Sequence, residues 1–346
     1  SKIDGGGSEN VLKIISEKFA KTNHKIYILV LDDFKELKSK KKNIKHIFFA
    51  RKKNYLIKSI FLNFDKIFFT RKTIKQIKPD IIFSFITETN ILTILANISL
   101  GYRLIVSERN NPKLERKKII WQLLRFLTYG IAHKITVNSK QAVLYFKKFY
   151  FSKKVIYLPN PIKKINKKKV LKKKLITFVG KFEYQKGIDV LIKAFFLSKI
   201  FKNGWKLQLI GGGTLFNKIQ SECKKMDHFN SVIFKPYISN LDLVYSESSF
   251  LILPSRYEGT PNVILEAVSA MLPFVISDSC SEIHKIFESS YIFKNEDEKD
   301  LSRILKQIIQ LKKTAINKIT KDNYSILKKN FNEKNVLNTW KNLLLS

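Results

Sequence analysis

The sequence predicts an α/β chain built from two doubly wound parallel sheets. Three observations carry that expectation. Short apolar runs alternate with amphipathic helical patterns, a rhythm that belongs to βαβ units. The alternation occurs as two series, and a proline-bounded, lysine-rich stretch separates them. The length of 346 residues suits two domains.

The first series has strand-like runs at 25–32, 80–85, 103–107, 134–138 and 155–158. Pro159-Asn160-Pro161 then stops it, because proline ends strand pairing and restricts the residue before it. The following stretch, IKKINKKKVLKKK, is too charged for a core. It reads as a linker, or as a basic surface loop if the two series share one domain; the restart of strands at Leu175 favours the linker. The second series has runs at 175–180, 205–211, 231–234, 250–253 and 274–277, with a helix pattern at 187–200 in which Val190, Leu191, Ala194, Phe195 and Leu197 are apolar. The expected domains are 1–160 and 175–330, joined by a linker at 161–174. Residues 331–346 form a last helix, with Val336, Leu337, Trp340 and Leu343 apolar, that returns to the first domain.

Composition narrows the class further. With 45% hydrophobic residues the chain can build sizeable cores, and global disorder is excluded. Two cysteines, Cys223 and Cys280, imply no disulfide framework. The five histidines show no metal-ligand spacing, so no metal or other cofactor is expected. No apolar run reaches the ~18 residues of a membrane-spanning helix, and no signal peptide is legible. The net charge of +37 comes mostly from lysine, 57 residues against 8 arginines. Lys, Ile, Asn and Phe are all abundant, as in proteins from AT-rich genomes, so the charge reads either as drift on solvated faces or as attraction to an anionic partner. Arginine forks dominate where phosphate geometry is read, and a lysine-dominated surface fits a membrane better than base readout.

Glycine is scarce, and half of the 12 lie in two triplets, 5–7 and 211–213, each before a helical pattern. Such turns let a backbone approach an anion at a helix N-terminus; neither matches a P-loop. The sharpest stretch is Pro254-Ser-Arg-Tyr-Glu258-Gly-Thr-Pro-Asn-Val-Ile-Leu-Glu266-Ala. It follows a strand, turns at Gly259, Pro261 and Asn262, and enters a helix. Its two carboxylates, eight residues apart, bracket exposed N–H groups. A sugar diphosphate suits that arrangement: N–H groups hold phosphate, and carboxylates accept hydroxyl protons. A lone Glu266 would be read as complementing a helix dipole; the complete string is too specific for that.

This string resembles the Glu-x7-Glu signature of the family four retaining glycosyltransferases, which have the two-domain GT-B fold. Val179-Gly180-Lys181 through Gln185-Lys186-Gly187, Leu158-Pro-Asn-Pro161-Ile and Gly5-Gly-Gly-Ser-Glu9 resemble further segments of that family. Ser107-Glu-Arg-Asn-Asn-Pro112 is similar to bacterial members that extend lipid-linked oligosaccharides. The resemblance implies two Rossmann-like domains facing a central cleft, a UDP-linked nucleotide-sugar donor, and a glycan or lipid-diphosphate-linked acceptor. Lys186 matches the diphosphate-binding lysine; Lys181 stands where an arginine is usual, keeping charge without the bidentate fork. Glu266 matches the glutamate that binds ribose hydroxyls, and Glu258 the one beside the transferred sugar. Gly259, Thr260, Gly211 and Gly212 would offer backbone to the donor, and Gly6 and Gly7 would approach it from the other domain. Glu108 and Arg109 are acceptor-side candidates. The family's first strand precedes the opening glycine loop, where only Ser1–Asp4 stand, so the resemblance also implies a missing natural N-terminus.

Two stretches mix cations with apolar residues at helical spacing, 51–64 and 113–129. Each reads as a core-facing helix with a solvated face or as an interfacial membrane helix. A lipid-linked acceptor favours peripheral attachment to an anionic membrane on its cytoplasmic side. Competing readings are a nucleotide-sugar epimerase or hydrolase of the same fold, and a nucleic-acid-binding protein drawn by charge, although no recognition module for nucleic acid is visible.

Overall fold

The computed structural model describes residues 7–22, 24–31, 43–49, 59–113, 115, 117–150, 152–162, 165–166, 168, 170–288 and 290–345. Two compact units emerge: Ser1–Pro161 with Val336–Ser346, and Ile162–Asn335.

The first unit runs α1 (Gly7–Phe19), β1 (Ile26–Val30), β2 (Ile44–Phe48), α2 (Ser59–Ile77), β3 (Ile82–Phe85), α3 (Thr87–Asn97), β4 (Leu104–Glu108), α4 (Ile119–Thr128), β5 (Lys134–Val137), α5 (Lys140–Lys147) and β6 (Val155–Tyr157). Every strand pair is parallel. β3-β4-β5-β6 form one sheet, with Ile82 opposite Leu104 and Val106 opposite Ile135. All five residues of β4 are buried, which is why it reads as an apolar run rather than an alternation. Ile91, Leu104, Val106, Ile135, Val137 and Phe146 centre this core. Among the described residues β1 pairs only with β2. A mostly apolar cavity of about 330 Å³ lies along both β1 and β3, lined by Ile28, Val30, Ile81, Phe83 and Phe85 and by Leu12 of α1.

The second unit runs β7 (Leu175–Val179), α6 (Ile188–Ser198), β8 (Lys206–Ile210), α7 (Phe216–Lys224), β9 (Val232–Lys235), α8 (Asp242–Glu247), β10 (Phe250–Leu253), α9 (Asn262–Ser269), β11 (Phe274–Ser277), α10 (Ser281–Ile286), β12 (Tyr291–Phe293), α11 (Glu298–Ile308) and α12 (Lys313–Asn330). Its six strands lie in the order β12-β11-β10-β7-β8-β9. From β7 the chain steps outward to β8 and β9. It then crosses back, lays β10 on the other side of β7, and steps outward again. That reversal makes a topological switch point between β7 and β10, where the loops leaving the strands' carboxyl ends diverge.

The last helix, α13 (Glu333–Leu345), belongs to the first unit from Val336 onward. Val336, Trp340 and Leu343 pack with Val11, Ile105 and Leu158. Trp340 Nε1 donates to the Pro159 carbonyl at 3.0 Å, which fixes the helix on the turn that ends the strand series. Phe331, expected in this helix, instead ends α12 and stacks on Phe287 in the second unit's core.

Two strands lie outside the sequence expectations. β2 follows a lysine-rich run and alternates Ile44, Lys45, His46, Ile47, and β12 has only three residues. β2 is broken by charge, and β12 is a short strand at the edge of its sheet.

Candidate active site

The loops that leave β7 and β10 meet at the switch point. The β7 loop carries Gly180, Lys181 and a single 3-10 turn, Tyr184–Lys186, before Gly187 opens α6. Gly187 has φ +60°, and a Cβ there would sit 2.0 Å from the Pro254 carbonyl oxygen. The glycine is therefore required twice, by a left-handed backbone and by the close approach of the two loops.

The β10 loop is Pro254–Pro261, and α9 follows. Lys186 Nζ lies 2.5 Å from Glu258 Oε1, an ion pair with the lysine 21% and the glutamate 7% exposed. Ser255 Oγ donates to the same carboxylate oxygen at 2.8 Å. Two residues expected at the donor thus converge from different loops, and Lys186 keeps access to solvent. Glu266 is buried one turn into α9, where Tyr245 Oη donates to its Oε2 at 2.8 Å. It is not in the helix's first turn, so dipole complementation does not account for it. Burial, with the Glu266 charge beside it, pushes the Tyr245 phenol well above its ordinary pKa, so Tyr245 stays a donor. Burial, with Glu258 nearby, pushes the Cys280 thiol up to about 12 and keeps it a protonated, unreactive neighbour.

Gly259 and Thr260 are buried in the same loop. Lys181 is half-buried just beyond β7. The second triplet, 211–213, follows β8 and is used unevenly. At Gly211 a Cβ would meet the Gly180 carbonyl oxygen at 2.0 Å, and at Gly213 it would meet Phe182 backbone at 2.7 Å. Both serve to pack the β8 loop onto the β7 loop. Gly212 is exposed and a Cβ there would meet nothing within 4 Å, while its carbonyl accepts from Phe182 N at 2.8 Å. Of the opening triplet, Gly7 begins α1 and Gly6 lies outside the described residues.

Arg256 had no role in the sequence reading, although it stands inside the most informative string. It is 9% exposed. Its guanidinium donates to both Asp189 oxygens, at 3.0 and 2.7 Å, to Glu296 Oε1 at 2.5 Å and to the Tyr184 carbonyl at 2.7 Å. Its Cζ lies 4.0 Å from the Tyr184 ring centroid. Arg256 therefore ties the β10 loop to the β7 loop and to the start of α6. Burial alone would raise the Asp189 carboxyl, but the bonds and charge of Arg256 outweigh it and hold that group below its usual range. The Tyr184 ring is the platform for this clamp. The signal that could have exposed Arg256 is bidentate logic: the string's single cation is an arginine in a chain whose cations are mostly lysines, which marks a planar fork.

Glu108 and Arg109 end β4 in the first unit and are both buried. Thr87 Oγ1 donates to Glu108 Oε2 at 3.1 Å, and Tyr129 Oη donates to Oε1. Burial, then repulsion from Glu115, raises the Glu108 carboxyl to about 7 against the pull of Arg125. Arg109 donates to the Leu158 carbonyl at 3.0 Å and to Asn160 Oδ1 at 2.9 Å, between the rings of Phe85 and Trp340. Burial lowers its pKa and the Glu108 charge counters this. The next residue but one before α3, Phe85, leads into Ile86, which holds φ +76°, a β-branched residue in the left-handed region.

Comparison with known proteins agrees with this geometry. The family model "Glycosyltransferase Family 4" matches residues 5–164, and "Glycosyl transferases group 1" matches 160–324. One match follows the other over nearly the whole chain, so the protein belongs to the family 4 glycosyltransferases and has the GT-B fold. Among curated relatives, it is 27% identical over 276 residues to the GalNAc-alpha-(1->4)-GalNAc-alpha-(1->3)-diNAcBac-PP-undecaprenol alpha-1,4-N-acetyl-D-galactosaminyltransferase of Campylobacter jejuni, covering 77% of this chain and 74% of the relative. Among solved structures, Anabaena HepE in complex with UDP and glucose superposes with a TM-score of 0.79 at 13% identity, over 99% of this chain and 96% of HepE. S. aureus TarM in complex with UDP superposes at 0.71 and 15% identity, over 81% of this chain and 59% of TarM, so the chain spans little more than half of TarM's length.

Proposed function

We propose that the protein transfers a sugar, with retention of anomeric configuration, from a UDP-sugar to a lipid-diphosphate-linked oligosaccharide or related glycan in surface polysaccharide assembly. The observation that carries this reading is the convergence of Lys186 and Glu258 at the switch point between β7 and β10, beside the N-terminal ends of α6 and α9. Ligands of open α/β sheets bind at such a reversal, and helix N-termini favour phosphate.

In this reading Glu266 accepts ribose hydroxyls, and Glu258 stands beside the transferred sugar. Lys186 leaves its pairing with Glu258 to meet the diphosphate, with Lys181 adding charge. Negative charge grows on the diphosphate as the glycosidic bond breaks, so a preorganised ammonium at that place lowers the barrier. Gly259, Thr260 and Gly212 supply backbone to the donor. Glu108 and Arg109 are assigned to the acceptor side, each already engaged by its own neighbours. The Campylobacter relative's PP-undecaprenol-linked acceptor and the UDP of the HepE and TarM complexes support the two substrate classes. Work on such an acceptor brings the protein to the cytoplasmic face of the membrane as a peripheral enzyme, with no nucleic acid as partner.

The test is a panel of UDP-sugars scored by thermal shift, followed by transfer to a lipid-diphosphate acceptor with the product anomer read by NMR. Stabilisation by one UDP-sugar and an α-linked product from an α-linked donor are expected. Free sugar without acceptor product would indicate a hydrolase, and an altered donor sugar an epimerase. Because lysines and helix ends supply the positive charge, transfer is expected to continue in excess EDTA; strict dependence on added Mg²⁺ or Mn²⁺ would contradict this.

A further inference from the structure

We infer that the outer face of α4 is a membrane-docking surface for an anionic bilayer. This rests on the lipid-linked acceptor proposed above for its purpose, though not for its geometry. The sequence of α4, IIWQLLRFLT, is apolar nearly all round. A helix of that kind normally has both faces covered. Here one face is covered by protein: Trp121 and Leu124 pack on the first unit's core, and Arg125 is buried over the rings of Tyr145 and Phe146. The other face is not. Ile119 is 83% exposed, Leu127 61%, Phe126 55% and Leu123 51%. Phe149, at the end of α5, is 50% exposed and meets Phe126 edge-on at 6.1 Å, so the patch extends across two helices. Contiguous exposed apolar surface with a polar rim marks an interaction site rather than ordinary surface.

The rim identifies the partner. Between residues 113 and 154 the chain has eleven Lys and Arg and a single acid, Glu115. That acid is committed: it accepts from Asn110 at 2.7 Å and lies 3.4 Å from Lys117. Lys117 itself turns inward to Glu88 at 2.7 Å and does not belong to the rim. Lys113 and Lys118, before α4, and Lys147 and Lys148, at the end of α5 just before Phe149, are exposed. A protein partner would need an acidic ring matched to this outline. An anionic leaflet matches it without any specific shape, because lysine heads reach headgroups while the aliphatic and aromatic side chains enter the acyl boundary. Among the described residues no helix is long and apolar enough to cross a membrane, so α4 would lie in the interface plane. Its inner end is joined to the acceptor-side carboxylate: Tyr129, just past α4, donates to Glu108.

The experiment is vesicle co-sedimentation of the full chain, on phosphatidylcholine alone or mixed with phosphatidylglycerol, at low salt and at physiological salt. Charges beyond about 8 Å are screened at the latter. Two variants divide the contributions: Leu123→Gln with Leu127→Gln, and Lys113, Lys118, Lys147 and Lys148 each →Gln. All six side chains are exposed, so folding should be preserved, which circular dichroism and UDP-induced thermal shift would check. The parent should bind mixed vesicles and retain part of that binding at physiological salt. The leucine variant should lose the salt-resistant part, on the order of tenfold. The lysine variant should lose the salt-sensitive part and its preference for phosphatidylglycerol. Equal binding by the leucine variant and the parent would overturn the proposal, as would a parent that ignores mixed vesicles but forms a dimer dispersed by the leucine substitutions. Transfer to a short water-soluble acceptor separates this from the proposed activity: it should be unchanged in both variants, and its absence in the parent would count against the activity and leave the vesicle result standing.

Discussion

The two charged pairs at strand ends are built in opposite ways. Lys186 and Glu258 come from different loops, meet over glycine-lined backbone, and leave the lysine half-open to solvent. Glu108 and Arg109 are sequence neighbours at the end of β4, and both are buried with their partners drawn from the fold itself. In the proposed reading the first pair exchanges partners, an incoming diphosphate replacing the carboxylate at the ammonium. The second cannot exchange without opening the core: Arg109 links β4 to the turn under Trp340, and Glu108 links β4 to Thr87 and Tyr129. Charge at a strand's carboxyl end is therefore not enough to define a reacting group; access and a replaceable partner are needed as well.

The largest effect that could break this comparison is structural. Gly187→Ala puts a Cβ against the Pro254 carbonyl in a backbone region alanine avoids, and should destabilise the second unit by on the order of 3 kcal/mol in denaturant unfolding. Gly212→Ala, with open space around it, should change stability by less than about 0.5 kcal/mol. Equal effects would mean that the two loops do not meet as described. Next in size, Glu266→Ala removes a charge-assisted acceptor and should weaken UDP binding by about 1.5–3 kcal/mol in calorimetry; unchanged affinity would remove Glu266 from the donor site.

The smallest effect sharpens the buried side of the comparison. Glu108 has its carboxyl raised to about 7, with Glu115, Arg125 and Tyr129 around it. Between its ordinary value and about 7 the folded chain holds a proton that the unfolded chain releases, so this group makes stability fall as pH rises through that window. Glu108→Gln should flatten that part of the pH–stability curve while leaving UDP affinity unchanged. A curve as steep as the parent's would assign the slope to other groups.

The pattern of what was legible follows the same division. The strands of both sheets stood out because parallel strands buried on two faces are continuous apolar runs, and the switch-point loops stood out because glycine, proline and paired carboxylates have few structural reasons to occur together. β2 was not legible, being broken by charge, and β12 is a three-residue strand at the sheet edge whose flanks, Ser290 and Lys294, are polar. Arg256 was missed because its partners, Asp189 and Glu296, lie 67 and 40 residues away and only the fold brings them to it. The exposure of α4 was equally hidden: the spacing of Ile119, Leu123 and Phe126 suits a core face or a membrane face alike, and only packing shows which side Trp121 and Leu124 take.

The central claim is that Lys186, the cation of the convergent pair at the switch point, acts on the leaving diphosphate. Its most direct test is single-turnover transfer by Lys186→Ala at saturating UDP-sugar. Removing one preorganised charge from a developing anion should lower kcat by about 10²–10³-fold, with donor affinity changed far less. A variant that turns over at the parent's kcat would contradict the assignment and place the chemistry away from β7 and β10.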